Sequence, residues 1–516
     1  MSIKSLAGET AIYGLSSILG RLANFLLLTP FLTRVFSEAE YGVVNDLFFY
    51  TAFCIALLIF RLDTAVFRFA SRSEHDPNQV FKVAQLGVAG FVVVFVCLGL
   101  GLAPWIADLL RYPDRQIYVQ LVVLVVAFDA LSAVPLARLR LQQRAWTFAN
   151  INLFNIGLSI ILVFFTLYFA PLWELSWYDK QWMVAYYFGA LLIASVLRYV
   201  LLVADGFWYA QKHPVQNHSE SITSRTSDTS VSEEDPDLRK STSETPLLPK
   251  VNLRMLIGYS APLVIVALAG IVNSLVGPAM IKYWHGGTVT ENLDWAGYYA
   301  AATKMAVFIS LFVQAYNYAA EPFFFRHSGK DLAQTDKRIF ADAARAFMLL
   351  GSLAAAAILL LLPWLQGFVA ADKRVGFYLL PQLLAANILL GLYYNFAMAY
   401  KLTDRTYLGG IIALAGSAIV VGGNVLLVPR IGIDGSAWSI LGCFTLMCTL
   451  AYLVTRRYFP VPYRLDKMLL YAVLSAAAVY AGTQFDAMLV RLAFLFGLTL
   501  VVALLEKGWL LKLVKN

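Results

Sequence analysis

The sequence predicts an all-α protein that lies in a membrane and crosses it about fourteen times. Three observations carry that prediction. Hydrophobic residues make up 60% of the chain and charged residues 14%; the mean hydropathy is +0.68; and apolar runs long enough to span a bilayer follow one another, separated by short stretches that collect charges and prolines. A β-barrel would show segments of about ten residues alternating apolar and polar. Runs such as LGVAGFVVVFVCLGLGLAPW at 86–105 are instead apolar on every side.

A helical span needs about 20 apolar residues. On that length the expected spans are 6–33, 41–69, 81–108, 116–140, 146–170, 181–209, 253–281, 294–322, 338–362, 376–400, 405–428, 434–456, 466–484 and 488–505. The first run is too long for a cleaved leader and lacks an A-x-A-like site, so it is expected to remain as a span. One segment breaks the pattern: residues 211–250 are rich in Ser, Thr, Pro and mixed charge and nearly free of apolar residues. Such a segment cannot bury enough surface to offset the entropy of ordering. It reads as a disordered cytoplasmic linker between a lobe of six helices (1–210) and a second lobe of six (251–460). Helices 13 and 14 and a tail follow at 461–516.

Lys and Arg gather in alternate loops. They are dense at Arg68, Arg72 and Lys82, at Arg138, Arg140 and Arg144, in 211–250, and at Arg326 to Arg338, Lys401 to Arg405 and Arg456 to Lys467. The positive-inside rule then places those loops and both termini in the cytoplasm. That bias, with anionic headgroups beside it, accounts for the formal charge of +8 without nucleic acid as a partner. The cysteines, Cys54, Cys97, Cys443 and Cys448, lie within apolar spans. The histidines, His75, His213, His218, His285 and His327, are scattered over loops. Neither set has metal-ligand spacing, and no cofactor is expected.

A repeat is visible between the two halves. Laying 40–71 over 295–326 aligns Gly42 with Gly297 and brings the Phe-rich ends together. Both segments are the second helix of their half and both enter the membrane from the same side. Repeats with the same orientation are related by an axis along the membrane normal, as in transporters that rock two six-helix halves around a central site.

Helix 1 carries a stripe. Thr10, Gly14, Ser17, Arg21 and Asn24 are spaced four, three, four and three, so small and polar side chains share one face while Leu, Ile and Phe hold the other. A polar stripe on a membrane helix faces other helices or water. An arginine at the centre of a span costs about 2.5–3.5 kcal/mol on insertion scales, so a compensating environment is expected. Further charges fall inside spans: Arg61, Asp63, Asp129, Arg198, Lys304 and Arg345, with Asp46 and Glu321 nearer the ends. Arg61 and Asp63 lie about 200° apart around a helix and do not simply neutralise one another. Each charge either lines a cavity or locks helices by ion pairing. Asp63, Asp129 and Arg345 are candidates for ion coupling or structural pairing, and Asp63 or Asp129 would be the acidic partner of Arg21 if that residue were structural.

The segments GRLANFLLLTPFLTRVFSEAEYGVVNDL (20–47), RLDTAVFRFASR (61–72), AGYYAAATKMA (296–306) and AAEPFFFRH (319–327), with the layout of six, six and two helices, resemble the multidrug/oligosaccharidyl-lipid/polysaccharide (MOP) superfamily. The likeness is strongest to its Wzx-like polysaccharide biosynthesis proteins. It implies a V-shaped pair of lobes that moves polyprenyl-pyrophosphate-linked oligosaccharide from the cytoplasmic to the outer leaflet of a bacterial inner membrane, for O-antigen, lipopolysaccharide or related polysaccharide. It also implies cavity residues that bind the headgroup, with the cations Arg21, Arg61, Arg198 and Lys304 and the polar Asn24 as the candidates here, and a groove for the lipid tail formed with the two extra helices. Polysaccharide assembly proteins are implied partners, alongside substrate and membrane lipids. A planar guanidinium suits a pyrophosphate because it forms two parallel charge-assisted hydrogen bonds. Helix 1 lacks the Arg-Asp pair of the peptidoglycan-lipid branch, which argues against a peptidoglycan precursor as substrate. The rival readings are a drug/cation antiporter of the same superfamily, which would favour a carboxylate-lined cavity, and a membrane glycan polymerase or ligase, which would carry a large outer loop. The expected protein is a transporter, not an enzyme.

Overall fold

The computed structural model describes residues 22–23, 25–70, 75–212, 251–327, 336–403 and 405–515. The expected linker at 211–250 lies outside the described residues except for Gln211 and Lys212, which end a helix. The described elements are helical, and 13 helices are long and apolar enough to cross a membrane, preceded by the shorter apolar helix α1 (Phe25–Val35). Many large apolar side chains face outward, among them Leu86, Trp105, Ile161, Leu489 and Phe496. Such a surface would promote aggregation in water and is at home in hydrocarbon.

A turn after α1 leads into α2 (Glu38–Ile59), whose start is fixed by a reciprocal cap. The Glu40 amide donates to the Ser37 hydroxyl at 3.3 Å, and the Glu40 carboxylate accepts the Ser37 amide at 2.9 Å, which satisfies two otherwise orphaned donors. The sequence predicts one span over 41–69, but the helix breaks at Phe60 and Arg61, whose φ values of 50° and 53° are left-handed. It resumes as α3 (Leu62–Ala70). No Gly or Pro announces this break, and two consecutive left-handed residues cost about 1–2 kcal/mol each. Part of the interrupted backbone bonding is recovered from another helix, as the Ser260 hydroxyl donates to the Arg61 carbonyl at 3.2 Å.

Asp76 caps and Pro77 opens α4 (Pro77–Gly101), the placement in which a proline loses nothing. The short α5 (Ala103–Leu109), α6 (Gln116–Leu141), α7 (Ala145–Phe164, prolonged by a π turn at Phe165–Phe169) and α8 (Met183–Lys212) complete the first group. Asn252 caps α9 (Leu253–Leu275) through the Met255 amide. The expected span 253–281 also divides, because Pro278 lacks the amide to continue it and opens a new helix, α10 (Gly277–Trp284). The second group continues with α11 (Val289–His327), α12 (Arg338–Leu360), α13 (Leu380–Leu402), α14 (Tyr407–Ile431) and α15 (Ile433–Tyr458). The chain then adds α16 (Leu465–Thr483) and α17 (Met488–Lys515).

Helices before the 213–250 segment pack mainly on one another, as do those after it, and the largest contact between the groups is α2 against α11. Their crossing is built on the two glycines aligned by the repeat. A Cβ on Gly42 would lie 2.0 Å from the Leu293 carbonyl oxygen, and one on Gly297 would lie 2.3 Å from that of Glu38. The register that lays Gly42 over Gly297 also lays Glu38 over Leu293. Each copy's glycine therefore meets the other copy's backbone at the equivalent position, as expected of helices related by a two-fold axis. Small residues at such a crossing let backbones approach closely without help from the hydrophobic effect.

The last two helices dock on α12 through a buried charge cluster. The Arg345 guanidinium pairs with Glu506, its Nε donates to the Tyr471 hydroxyl at 2.9 Å, and its plane lies 4.4 Å over the Trp509 ring. Lys467 adds a second cation 3.1 Å from Glu506. In hydrocarbon such a cluster fixes which face of α17 meets the bundle, since any other rotation strands a charge.

A candidate substrate cavity closed by a charged clamp

Just inside the glycine crossing, a cavity of about 330 Å3 opens between α1, α2, α8 and α11. Helical spacing builds its walls. Phe25, Leu28, Thr29 and Leu32 present one face of α1, and Tyr41, Asn45 and Phe48 one face of α2. From α11 come Lys304, Ser310 and Gln314. The polar walls are held in place: Asn45 donates to the Tyr41 carbonyl at 2.7 Å, and the Ser310 hydroxyl donates to Asn387 at 2.6 Å. Lys304 supplies the cavity's charge. Among the described lining residues there is no carboxylate, and no acidic partner of Lys304 occurs among the described residues. A cation in that position favours an anion.

At the end of the bundle carrying Ser37, the two groups are clamped above this cavity. Lys282 of α10 is fully buried and donates to the Asp46 carboxylate of α2 at 2.5 Å and to the Leu110 carbonyl at 3.0 Å. The Tyr112 hydroxyl donates to the same Asp46 oxygen at 2.7 Å. The rings of Tyr50, Tyr112 and Tyr283 surround the ammonium at 5.3, 4.6 and 4.7 Å, within cation–π range. Burial, and after it the charge of Asp46, holds the Tyr112 hydroxyl well above its ordinary pKa, so it remains a donor. Asn292 locks the α10–α11 turn by donating to the Lys282 carbonyl at 3.0 Å. A further contact between the groups comes from the Arg34 guanidinium, which donates to the Gly367 carbonyl at 2.7 Å. At the other end the groups meet through softer contacts, such as Arg68 over the Tyr259 ring at 4.4 Å and the Val251 amide to Gln79 at 3.4 Å. No ion pair joins them there among the described residues.

The sequence candidates fall in different places. Arg21 and Asn24 lie outside the described residues. Lys304 lines the cavity. Arg61 is exposed at the α2–α3 break, and Asp63 follows it in the first turn of α3, accepting from the Thr64 hydroxyl at 3.5 Å. Arg198 of α8 pairs with Asp129 of α6 at 2.7 Å, inside the first group, and neither lines the Lys304 cavity. Arg345 is tied to Glu506 as described. Sequence reasoning missed the clamp. It placed Asp46 near a span end and ended the neighbouring span one residue before Lys282. The Pro278 break, which carries Lys282 into the bundle, was the available signal.

Residues 31–214 match the family of polysaccharide biosynthesis proteins. No curated protein matches the chain. Solved structures with the same fold include the lipid II flippase MurJ in an inward closed conformation, with a TM-score of 0.68 at 12% identity over 97% of this chain and 99% of that one. A multidrug resistance MATE family transporter of the MOP superfamily matches in its inward-facing form, with a TM-score of 0.57 at 12% identity over 93% and 96% of the two chains. An outward-facing MATE structure matches with a TM-score of 0.58 at 13% identity over 87% and 95%.

Proposed function

We propose that this multi-pass membrane protein, with the fold shared by the transporters and flippases of the MOP superfamily, is a flippase for polyprenyl-pyrophosphate-linked oligosaccharide. The carrying observation is the inter-group cavity, cationic at Lys304 and free of carboxylates among its described lining residues. An anionic, sugar-bearing headgroup finds there a counter-charge and polar walls, while its lipid tail stays in hydrocarbon. Arg21 and Asn24 belong to the same site on sequence spacing, since Arg21 precedes the lining residue Phe25 by four positions and Asn24 precedes Leu28 by four. Arg61, exposed at the broken helix, is a further candidate for the phosphate groups, and Arg198 is a weaker one because Asp129 engages it.

The two groups of helices act as lobes, with residues 211–250 as the tether between them and the clamp on the outer side. Headgroup loading occurs from the cytoplasmic side with the clamp shut. Release to the outer leaflet requires Lys282 and Asp46 to part. In an inside-negative membrane, outward movement of one net negative charge gains about 2.3 kcal/mol per 100 mV, so the potential drives the cycle. The setting that fits best is a bacterial inner membrane with both termini cytoplasmic, in O-antigen or a related polysaccharide pathway. An antiporter for cationic drugs is less well served, because the cavity offers such a ligand a like charge. The chemistry required is translocation rather than bond making.

The test is to replace Lys304 by Gln, and separately Arg21 by Ala, and to measure the fraction of lipid-linked oligosaccharide reached by a membrane-impermeant oxidant of sugars. Both variants are expected to trap the glycan inside at normal protein abundance. An unchanged accessible fraction in both would overturn the reading.

A further inference from the structure

A second cavity, of about 390 Å3, opens at the far end of the first group between α4, α6 and α8. It shares no lining residue with the Lys304 cavity. Pro135 stands inside α6 and has no amide to offer the Leu131 carbonyl. Gln85 of α4 reaches across and donates to that carbonyl at 3.3 Å. The wedge beside this proline is floored by Phe81, Val134 and Leu202 and rimmed by Lys82, Arg138 and Arg144.

The rim is short of negative charge. Asp205 is its one carboxylate among the described lining residues, and Arg144 engages both of its oxygens, at 2.7 and 2.6 Å. Among the described residues Arg138 has only a long contact to Asn78, at 3.4 Å, besides the Phe81 ring at 5.4 Å. Lys82 is exposed and without an acidic partner among the described residues. Two cations thus remain for a ligand above an apolar floor. The height in the membrane is marked by the neighbouring Trp146 and Trp208, which are 69% and 65% exposed. Tryptophans of that kind settle at the boundary between headgroups and hydrocarbon.

We propose that this cavity binds the phosphate of an anionic membrane lipid between Lys82 and Arg138, with the start of one acyl chain on the Phe81 and Leu202 floor, as a site separate from the transport cavity. A lipid fits better than free phosphate because an inorganic anion has no use for the apolar floor, and a zwitterionic lipid would bring a cation beside two others. Arg144 contributes by neutralising Asp205, which would otherwise repel the ligand.

Native mass spectrometry of the delipidated full chain in detergent, titrated with short-chain phosphatidylglycerol, phosphatidylcholine or inorganic phosphate, tests the site. The expected result is retained phosphatidylglycerol and a raised melting temperature that phosphatidylcholine does not reproduce. Joint replacement Lys82→Gln and Arg138→Gln should weaken that binding about tenfold or more, while Lys82→Arg should keep it. If the double variant does not fold, Gln142→Glu on the same rim should give the same loss by adding a negative charge. Equal binding of the two lipids, an unchanged affinity in the rim variants, or an equal shift with inorganic phosphate would each overturn the lipid assignment. The readout is binding, so it stands or falls independently of the flippase reading.

Discussion

Lys282 and Lys304 are both lysines enclosed by the same bundle, and they are provided for in opposite ways. Lys282 has a carboxylate at 2.5 Å, a carbonyl at 3.0 Å and three aromatic rings. Lys304 faces a cavity whose described walls hold hydroxyls, amides and apolar groups but no carboxylate. A charge whose hydrogen bonds are all made within the protein holds two elements together. A charge left facing open volume implies that water or a ligand completes it. The comparison separates a cation satisfied within the protein from one left open to a ligand, and it predicts a graded series of stability effects.

The largest effect should come from breaking the clamp on one side only. Asp46→Asn strands a fully buried ammonium, and loss of one partner of such a pair costs about 3–5 kcal/mol. Thermal unfolding in detergent, followed by fluorescence-detected gel filtration, is expected to show a sharp loss of stability and abundance. The double replacement Asp46→Leu with Lys282→Met should recover much of both. If Asp46→Asn were as stable as the parent, the clamp would not be what joins the groups.

A smaller loss is expected at the glycine crossing. Gly42→Val places its Cβ against the Leu293 carbonyl, and overpacking of this kind costs about 1–3 kcal/mol. Because the contact joins the two groups, the variant should also open the Ser37 end. A cysteine at Val43, buried at 8% exposure, should then react faster with a water-soluble maleimide than it does in the Gly42 parent. Equal labelling rates would mean that the crossing does not hold this end shut.

The Arg198–Asp129 pair comes next, since its side chains are 13% and 25% exposed and the expected cost falls below that of the clamp. Asp129→Asn should lower the melting temperature modestly, and adding Arg198→Gln should restore it. Restored stability without restored export would return Arg198 to the substrate path.

Much of this arrangement was legible in the sequence because the membrane limits the solutions. Apolar runs must become helices, so the fold class and most spans follow from hydropathy alone. The Gly42–Gly297 alignment carried real geometry, since only glycine admits that approach. What was hidden depends on contacts distant in sequence. Asp46 and Lys282 are separated by 236 positions, and Asp129 gave no sign that Arg198 rather than another cation would meet it. The break at Phe60 and Arg61 was invisible because the residues concerned are ordinary helix formers, placed in left-handed conformations by their surroundings. Pro278 was visible, but a proline shows only that a helix stops, not where the chain goes next.

The smallest stability effect should belong to Lys304, and that small value is what gives the comparison its force. Lys304→Gln removes a charge that no protein carboxylate balances among the described residues, so no partner is stranded and the desolvation cost of the ammonium disappears. The melting temperature should stay level or rise, whereas export of lipid-linked glycan should fall by about tenfold or more, the scale set by loss of one charge-assisted contact to a phosphate. Lys304→Arg keeps the charge but puts a bulkier head into a cavity of about 330 Å3, so partial export is expected. Anion protection separates the two roles further. A soluble pyrophosphate-bearing analogue of the headgroup should raise the melting temperature of the parent and of Gly42→Val, and should do nothing for Lys304→Gln. A marked loss of stability in Lys304→Gln, with no change in its response to the analogue, would place Lys304 with Lys282 as a structural cation and remove the difference on which the substrate assignment rests.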